Sequence, residues 1–169
     1  MLQRLYIRNF ALIEELEVEF DTGLNIVTGE TGAGKSIIVG ALKLILGDRA
    51  STDVVRQAGA KAVVEGMFDA ASFPGLSELL RSHDIDEQPV LILRREVSAV
   101  QSRAFINDSP ATVSVLREVA SQLVDLHGQH DHQSLLRTDT HLDLVDGFGG
   151  LEGLVRSCEH EYAVTREIV

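Results

Sequence analysis

At 169 residues the chain has the length of one domain and can bury roughly two-thirds of the surface it exposes when unfolded. Its 44% hydrophobic and 24% charged residues exclude a disordered or fibrous class, and a net charge of −11 excludes a surface that binds nucleic acid all over, though not a local basic patch. Cys158 is the only cysteine, which excludes an intrachain disulfide framework and fits a reducing cytosol, and the longest apolar run, "SIIVGALKLILG", is too short to span a bilayer.

The opening "MLQRLYIRNF" lacks the basic region, apolar core and small-residue cleavage site of a signal peptide, so the chain is expected to stay in the cytoplasm. "RLYIRNF" and "LEVEF" both alternate apolar with polar residues, so 2–20 reads as two strands joined near Asn9 to Ala11. "DTG" marks a turn, and "LNIVT" then reads as a short buried strand. From Gly34 to Leu46 the apolar residues Ile37, Ile38, Ala41, Leu44 and Ile45 recur at helical spacing, with Gly47 as the stop. "KAVVEGMF" and "VLILRREV" read as strands with a short helix "LSELLRSH" between them. "RAFIND" reads as a further strand, and Pro110 as the first residue of a helix through "TVSVLREVASQLV". Mixed helices and strands predict an α/β fold with a mixed β-sheet.

After "DGFGG" at 146–150 the texture changes. Leu151, Val155, Cys158, Tyr162, Thr165 and Val169 follow the four-three spacing of a coiled-coil seam, which an ordinary amphipathic helix also satisfies over so short a stretch. No cap ends the pattern before Val169, so the helix is expected to continue in a longer protein. The expected division is 1–148 as a nucleotide-binding lobe and 149–169 as the start of a coiled-coil arm.

The chemistry is concentrated in "GETGAGKS", which matches the phosphate-loop pattern G-x-x-x-x-G-K-[ST] and lies between a predicted strand and a predicted helix. Glycines at 29, 32 and 34 let backbone N–H groups approach phosphate oxygens, Lys35 reaches the β- and γ-phosphates, and Ser36 offers its hydroxyl to Mg²⁺. The nucleotide-binding set is therefore Gly29, Glu30, Thr31, Gly32, Ala33, Gly34, Lys35 and Ser36, with ATP and Mg²⁺ as cofactors. A guanine-reading N-K-x-D is missing, because none of Lys35, Lys43 and Lys61 follows an asparagine. Hydrolysis also needs an acidic residue after a hydrophobic strand. Asp125 and Asp146 are the candidates, but no acidic residue follows either, and Asp146 runs into glycines; both read as surface or cap residues.

Taken together, "LYIRNFALIEELEVEF", "GLNIVTGETGAGKSIIVGALKLILGDRAS", "SRAFIND" and "LVDLHGQHDHQSLL" resemble the N-terminal half of the ATPase head of the RecN family. These are bacterial double-strand-break repair proteins related to SMC proteins. The resemblance covers about residues 1–150, and "HGQHDHQ" is its most specific part. It implies an ABC-type head split in sequence, in which the first half carries the phosphate loop, or Walker A motif, and the Q-loop. A coiled coil follows, and the second half carries the signature motif, Walker B and the switch histidine. No "SGGE"-like stretch occurs in the chain, which would place the missing carboxylate in the other half.

By the same resemblance, Gln129 looks like the Q-loop glutamine, a catalytic residue alongside Lys35 and a metal ligand alongside Ser36. From the residues alone it is equally a turn residue, with Gln133 as a rival. His127, His130 and His132 fit no common zinc spacing and lack a fourth ligand, so a polar loop near the nucleotide competes with a metal site. Arg56 lies where related heads often place an arginine facing DNA or the partner head; its other reading is a solvated arginine. Arg8 and Asn9 precede the turn that faces the phosphate loop in this superfamily, but Ala11 stands where related repair ATPases often carry arginine, which leaves a phosphate contact from this segment open.

The implied function is ATP-driven head dimerisation coupled to DNA binding in recombinational repair. The implied partners are the C-terminal lobe of the same head, a second head and DNA, in a cytoplasmic, nucleoid-associated protein without membrane contact. The fragment alone is expected to be inactive. Two alternatives are a stand-alone P-loop kinase or transferase with a complete site, and a non-catalytic fragment that assembles through its last helix.

Overall fold

Alternation in the first twenty residues folds as the pattern predicts, into a hairpin of β1 (Leu2–Phe10) and β2 (Ile13–Glu19). The computed structural model describes residues 1–29, 34–71, 73, 75–126 and 141–167. The further elements are α1 (Lys35–Ile45), β3 (Ala62–Asp69), α2 (Leu76–Ser82), β4 (Val90–Val97), β5 (Ser102–Ile106), β6 (Ser109–Ala111), α3 (Val113–Leu123), α4 (His141–Gly149) and α5 (Glu152–Glu167). Close packing divides the chain into Met1–Val124 and Asp125–Val169, and the boundary expected at 148/149 lies inside the second unit.

In the first unit the six described strands form one sheet in the order β2-β1-β3-β4-β5-β6. Every pairing in it is antiparallel, which corrects the expected mixed sheet. Hairpins join β1 to β2, β4 to β5 and β5 to β6, and tight connections of this kind impose antiparallel pairing. β2 and β3 do run in the same direction, but β1 lies between them.

The two faces of the sheet follow from period-2 alternation. One cross-strand row, Leu16, Ile7, Val64, Arg95, Ala104 and Ala111, faces the core; the adjacent row, Glu17, Tyr6, Glu65, Arg94, Phe105 and Pro110, faces the other way. The second face is held by polar pairs, including Arg4 with Glu17 at 2.9 Å, Arg94 with Asp108 at 2.9 Å, and the Arg94 guanidinium 4.7 Å from the Phe105 ring centroid. The Tyr6 hydroxyl donates to Glu15 at 2.7 Å, and that bond, followed by burial, raises the tyrosine pKa.

The core face carries Leu5, Ile7, Val64, Phe68, Leu91, Leu93 and Val97, covered by Ala41, Leu44 and Ile45 of α1, Leu76 and Leu80 of α2, and Leu116, Val119 and Leu123 of α3. Gly66 makes a notch for α1: a Cβ there would sit 2.6 Å from Ile45 Cδ1. α1 ends as its glycine stop predicts. Gly47, at φ +94, donates to Leu44 O at 3.3 Å, and Asp48 N donates to Lys43 O at 3.0 Å, a Schellman cap.

Two other expectations are overturned in this unit. "LNIVT" belongs to no strand, because no sheet edge among the described residues pairs with it; Leu24 is 87% and Ile26 74% exposed. Pro110 lies in β6 opposite Phe105, and α3 begins at Val113. An edge strand tolerates the missing proline N–H, whereas Thr112 supplies the helix cap, its hydroxyl accepting from Val115 N at 3.2 Å. The β5–β6 turn places Asn107 at φ 48 and Asp108 at φ 63, the type I′ geometry that suits a two-residue hairpin.

In the second unit, α4 runs through Asp146 and Gly147, correcting the glycine turn expected there. The turn comes at Gly150, φ 63, where Leu151 N donates back to Asp146 O at 2.9 Å. α5 carries Val155, Cys158, Tyr162 and Thr165 of the expected seam; Leu151 precedes the helix, and Val169 lies outside the described residues. No helix among the described residues is long and apolar enough to cross a membrane.

Gly47 is required both for its left-handed φ and because a Cβ would lie 2.6 Å from Arg117 Cβ. Gly47→Ala is expected to lower unfolding free energy by about 1–3 kcal/mol, read as a lower denaturant midpoint at unchanged slope.

Candidate functional site

The phosphate-loop sequence delivers the chain into α1 with its first turn open. Gly34 adopts φ 93, ψ −5, a left-handed conformation that glycine takes without strain, and a Cβ there would meet nothing within 4 Å, so the backbone angle alone calls for glycine. Ile37 N and Ile38 N both donate to Gly34 O, at 2.9 and 3.1 Å. The N-cap residue Gly34 has no side chain to cap the helix, and no acidic residue lies in its first turn.

Lys35 and Ser36 are the first two residues of that turn, with the serine exposed. The Lys35 ammonium donates to the carbonyl of Gly29, so it reaches back across the loop to the residue where the motif begins. Backbone amides at a helix start, an ammonium and an exposed hydroxyl form a donor set for a phosphate chain carrying a divalent cation. The residues present therefore fit a magnesium-nucleotide: Gly34, Lys35 and Ser36 on its phosphates and Ser36 on its metal. Glu30, Thr31, Gly32 and Ala33 lie outside the described residues, as do Gln129, its rival Gln133, and His127, His130 and His132. Among the described residues no group of three His, Cys, Asp or Glu could hold a metal ion. Asp125 is exposed beyond the end of α3, and Asp146 lies within α4.

A second cluster joins residues far apart in sequence. Asn9, at φ 53 and 9% exposed, accepts from Gln57 N through Oδ1 at 2.9 Å and from Arg56 N through its backbone carbonyl at 3.1 Å. Its Nδ2 is buried without a hydrogen-bond partner. Ala11, at φ 51, donates its N–H to Val54 O at 2.7 Å. Around Asn9 opens a cleft of about 590 Å³ lined by Arg8, Glu14, Arg56, Gln57 and Lys61, among others. Arg56 lies 3.4 Å from Glu14, and Lys61 2.7 Å from Glu96. Arg8, Asn9 and Arg56, picked out separately in the sequence, thus share one cleft. Ala11 is not among the residues that line it, and as alanine it contributes no charge.

Two arginines escaped the sequence reading. Arg95 is 1% exposed on the core face; its Nη2 donates to Ser102 Oγ at 2.7 Å, while Nε and Nη1 have no hydrogen-bond partner. Burial first, and then the nearby Arg117 charge, lower its pKa. Arg117 on α3 donates through Nη2 to Gly47 O at 2.5 Å. Alternation along "VLILRREV" carried a signal for Arg95, since it shares a face with Leu91, Leu93 and Val97. Nothing local in the sequence marks Arg117.

A family model described as an AAA domain matches residues 4–66, from β1 to β3 and including the phosphate loop. The chain is 44% identical over 154 residues to the DNA repair protein RecN of Bacillus subtilis (strain 168), an alignment covering 90% of this chain and 27% of that protein. It is 38% identical over 168 residues to the DNA repair protein RecN of Vibrio cholerae, covering 99% of this chain and 30% of that protein. The chain thus spans less than a third of the length of these relatives. In fold it is similar to a solved SMC ATPase, from a study of ATP-driven dimerization and DNA-stimulated activation, with a TM-score of 0.60 at 21% identity over 85% of this chain and 98% of that one.

Asn9→Gly keeps the left-handed backbone and removes the acceptor for Gln57 N. Loss of this partly buried bond is expected to lower unfolding free energy by about 1–3 kcal/mol in chemical denaturation.

Proposed function

The chain belongs to the RecN family, and from that premise we propose that it is the ATP-binding N-terminal lobe of an SMC-like ATPase acting in recombinational repair of DNA double-strand breaks. The observation that carries the reading is the N-terminal turn of α1, where Gly34, Lys35 and Ser36 bring a backbone turn, an ammonium and a hydroxyl together. Residues 1–148 form the lobe in this reading, and 149–169 begin a coiled-coil arm.

Each side chain then has a task that follows from its chemistry. The amides of Gly29 to Gly34, with Glu30, Thr31, Gly32 and Ala33 between them, cradle phosphate oxygens. Lys35, which donates to the Gly29 carbonyl, would reach the β- and γ-phosphates, whose charge makes them stronger acceptors than a carbonyl. Ser36 and Gln129 hold the metal. Bound Mg²⁺ supplies charge neutralisation of the phosphates. Gln129 senses the γ-phosphate and, with Lys35, belongs to the catalytic set.

A C-terminal lobe of the same head is the first partner. The exposure of Leu24, Ile26 and Val27 in the segment leading into the phosphate loop, and of Val39 on α1, supports it, since large apolar side chains are ordinarily covered. A second head, brought in by ATP, is the next partner, and ATP contacts made only in the closed pair would couple its closure to DNA. The cleft around Asn9 and Arg56 supports a contact with DNA or the partner head. The full-length protein is then a cytoplasmic, nucleoid-associated ATPase.

Two measurements test the reading. ATP turnover is expected to be absent for this chain alone and to appear when the remainder of the full-length protein is added; robust turnover by the chain alone would instead favour a complete P-loop kinase or transferase site. In the full-length protein, Lys35→Ala is expected to abolish tight MgATP binding in a calorimetric titration, and unchanged affinity would overturn the assignment of the phosphate site.

A further inference from the structure

The helix that follows the phosphate loop is held at its far end by a cationic contact from α3. The carbonyl of Gly47, the residue that closes the Schellman cap of α1, accepts from Arg117 Nη2 at 2.5 Å across 70 positions in sequence. A Cβ on Gly47 would lie 2.6 Å from Arg117 Cβ and 3.0 Å from its Cα, so the backbone of α3 approaches the cap with no side chain between them. α3 is itself fixed in the core by Leu116, Val119, Ala120 and Leu123. The arginine also brings positive charge to the negative end of the α1 dipole.

α1 is eleven residues long, a rise of about 16 Å, with Lys35 and Ser36 of the phosphate loop in its first turn and the Gly47 cap beyond its last. A rigid rod of this length carries a displacement at one end to the other. We propose that Arg117 is a positioning residue for the nucleotide site: through the Gly47 cap it sets where α1 presents Lys35 and Ser36. This rests on the nucleotide reading above, and Arg117 itself touches no nucleotide. Small misplacements of a positioned group weaken the reacting geometry far more than ground-state binding.

The test compares Arg117→Ala and Arg117→Lys in the full-length protein, at a temperature where circular dichroism shows both fully folded. Arg117→Ala is expected to lower kcat for ATP hydrolysis about ten- to a hundred-fold with KM changed by less than about two-fold. Arg117→Lys keeps a donor within reach of the Gly47 carbonyl and is expected to recover most of that kcat. Wild-type kcat in the alanine variant overturns the proposal, and so do equal losses in both variants or a KM rise that matches the kcat loss. A direct MgATP titration of the wild-type protein separates the two readings. Absence of binding overturns the nucleotide site and this proposal with it, whereas tight binding together with wild-type kcat in the alanine variant overturns only the role of Arg117.

Discussion

Everything the phosphate loop can do depends on how α1 is seated on the sheet. The seat is Gly66, where the missing side chain lets Ile45 Cδ1 descend toward the β3 backbone. Ala41 and Leu44 join Ile45 on the buried side of α1, while Ser36 and Val39 stay exposed. The helix therefore has one apolar stripe, and close packing on the sheet determines which way its first turn opens. Its C-terminal end is tied separately, by the Gly47 cap and by α3. The helix that follows the phosphate-loop motif is thus fixed along its length and at its far end.

The same core contains one expensive residue. Arg95 takes the place of an apolar side chain in a row otherwise made of Leu16, Ile7, Val64, Ala104 and Ala111. A buried guanidinium needs compensation, and Ser102 supplies one hydrogen bond for it. Ala104, its cross-strand partner on β5, is a small residue on the same face. Burial and, after it, the charge of Arg117 on the exposed side of α3 lower the Arg95 pKa, and Arg117 is itself bonded to the α1 cap.

Much of this architecture was legible in the chain, and the failures share one cause. The strands of "RLYIRNF", "LEVEF", "KAVVEGMF" and "VLILRREV" alternate over enough residues to define a face, and their structural boundaries follow that alternation. "LNIVT" has the composition of a buried strand but finds no edge to pair with among the described residues, and pairing is not encoded locally. Pro110 suits both a first helical turn and a sheet edge; the choice was made by Thr112, whose hydroxyl caps α3 two residues later. Asn9 could be singled out by its position, but its hold on Arg56 and Gln57 required the intervening chain to return.

By itself the sequence determined the phosphate-loop motif, the helix that follows it, and the stop at Gly47. Each of these depends on residue types at fixed short spacings, which the chain carries in any fold. Tertiary structure alone decided that the sheet is antiparallel, that Arg95 is buried, that Asn9 and Arg56 share a cleft, and that Arg117 reaches the end of α1. These rest on contacts between residues tens of positions apart, and such contacts exist only once a common core has brought the elements together.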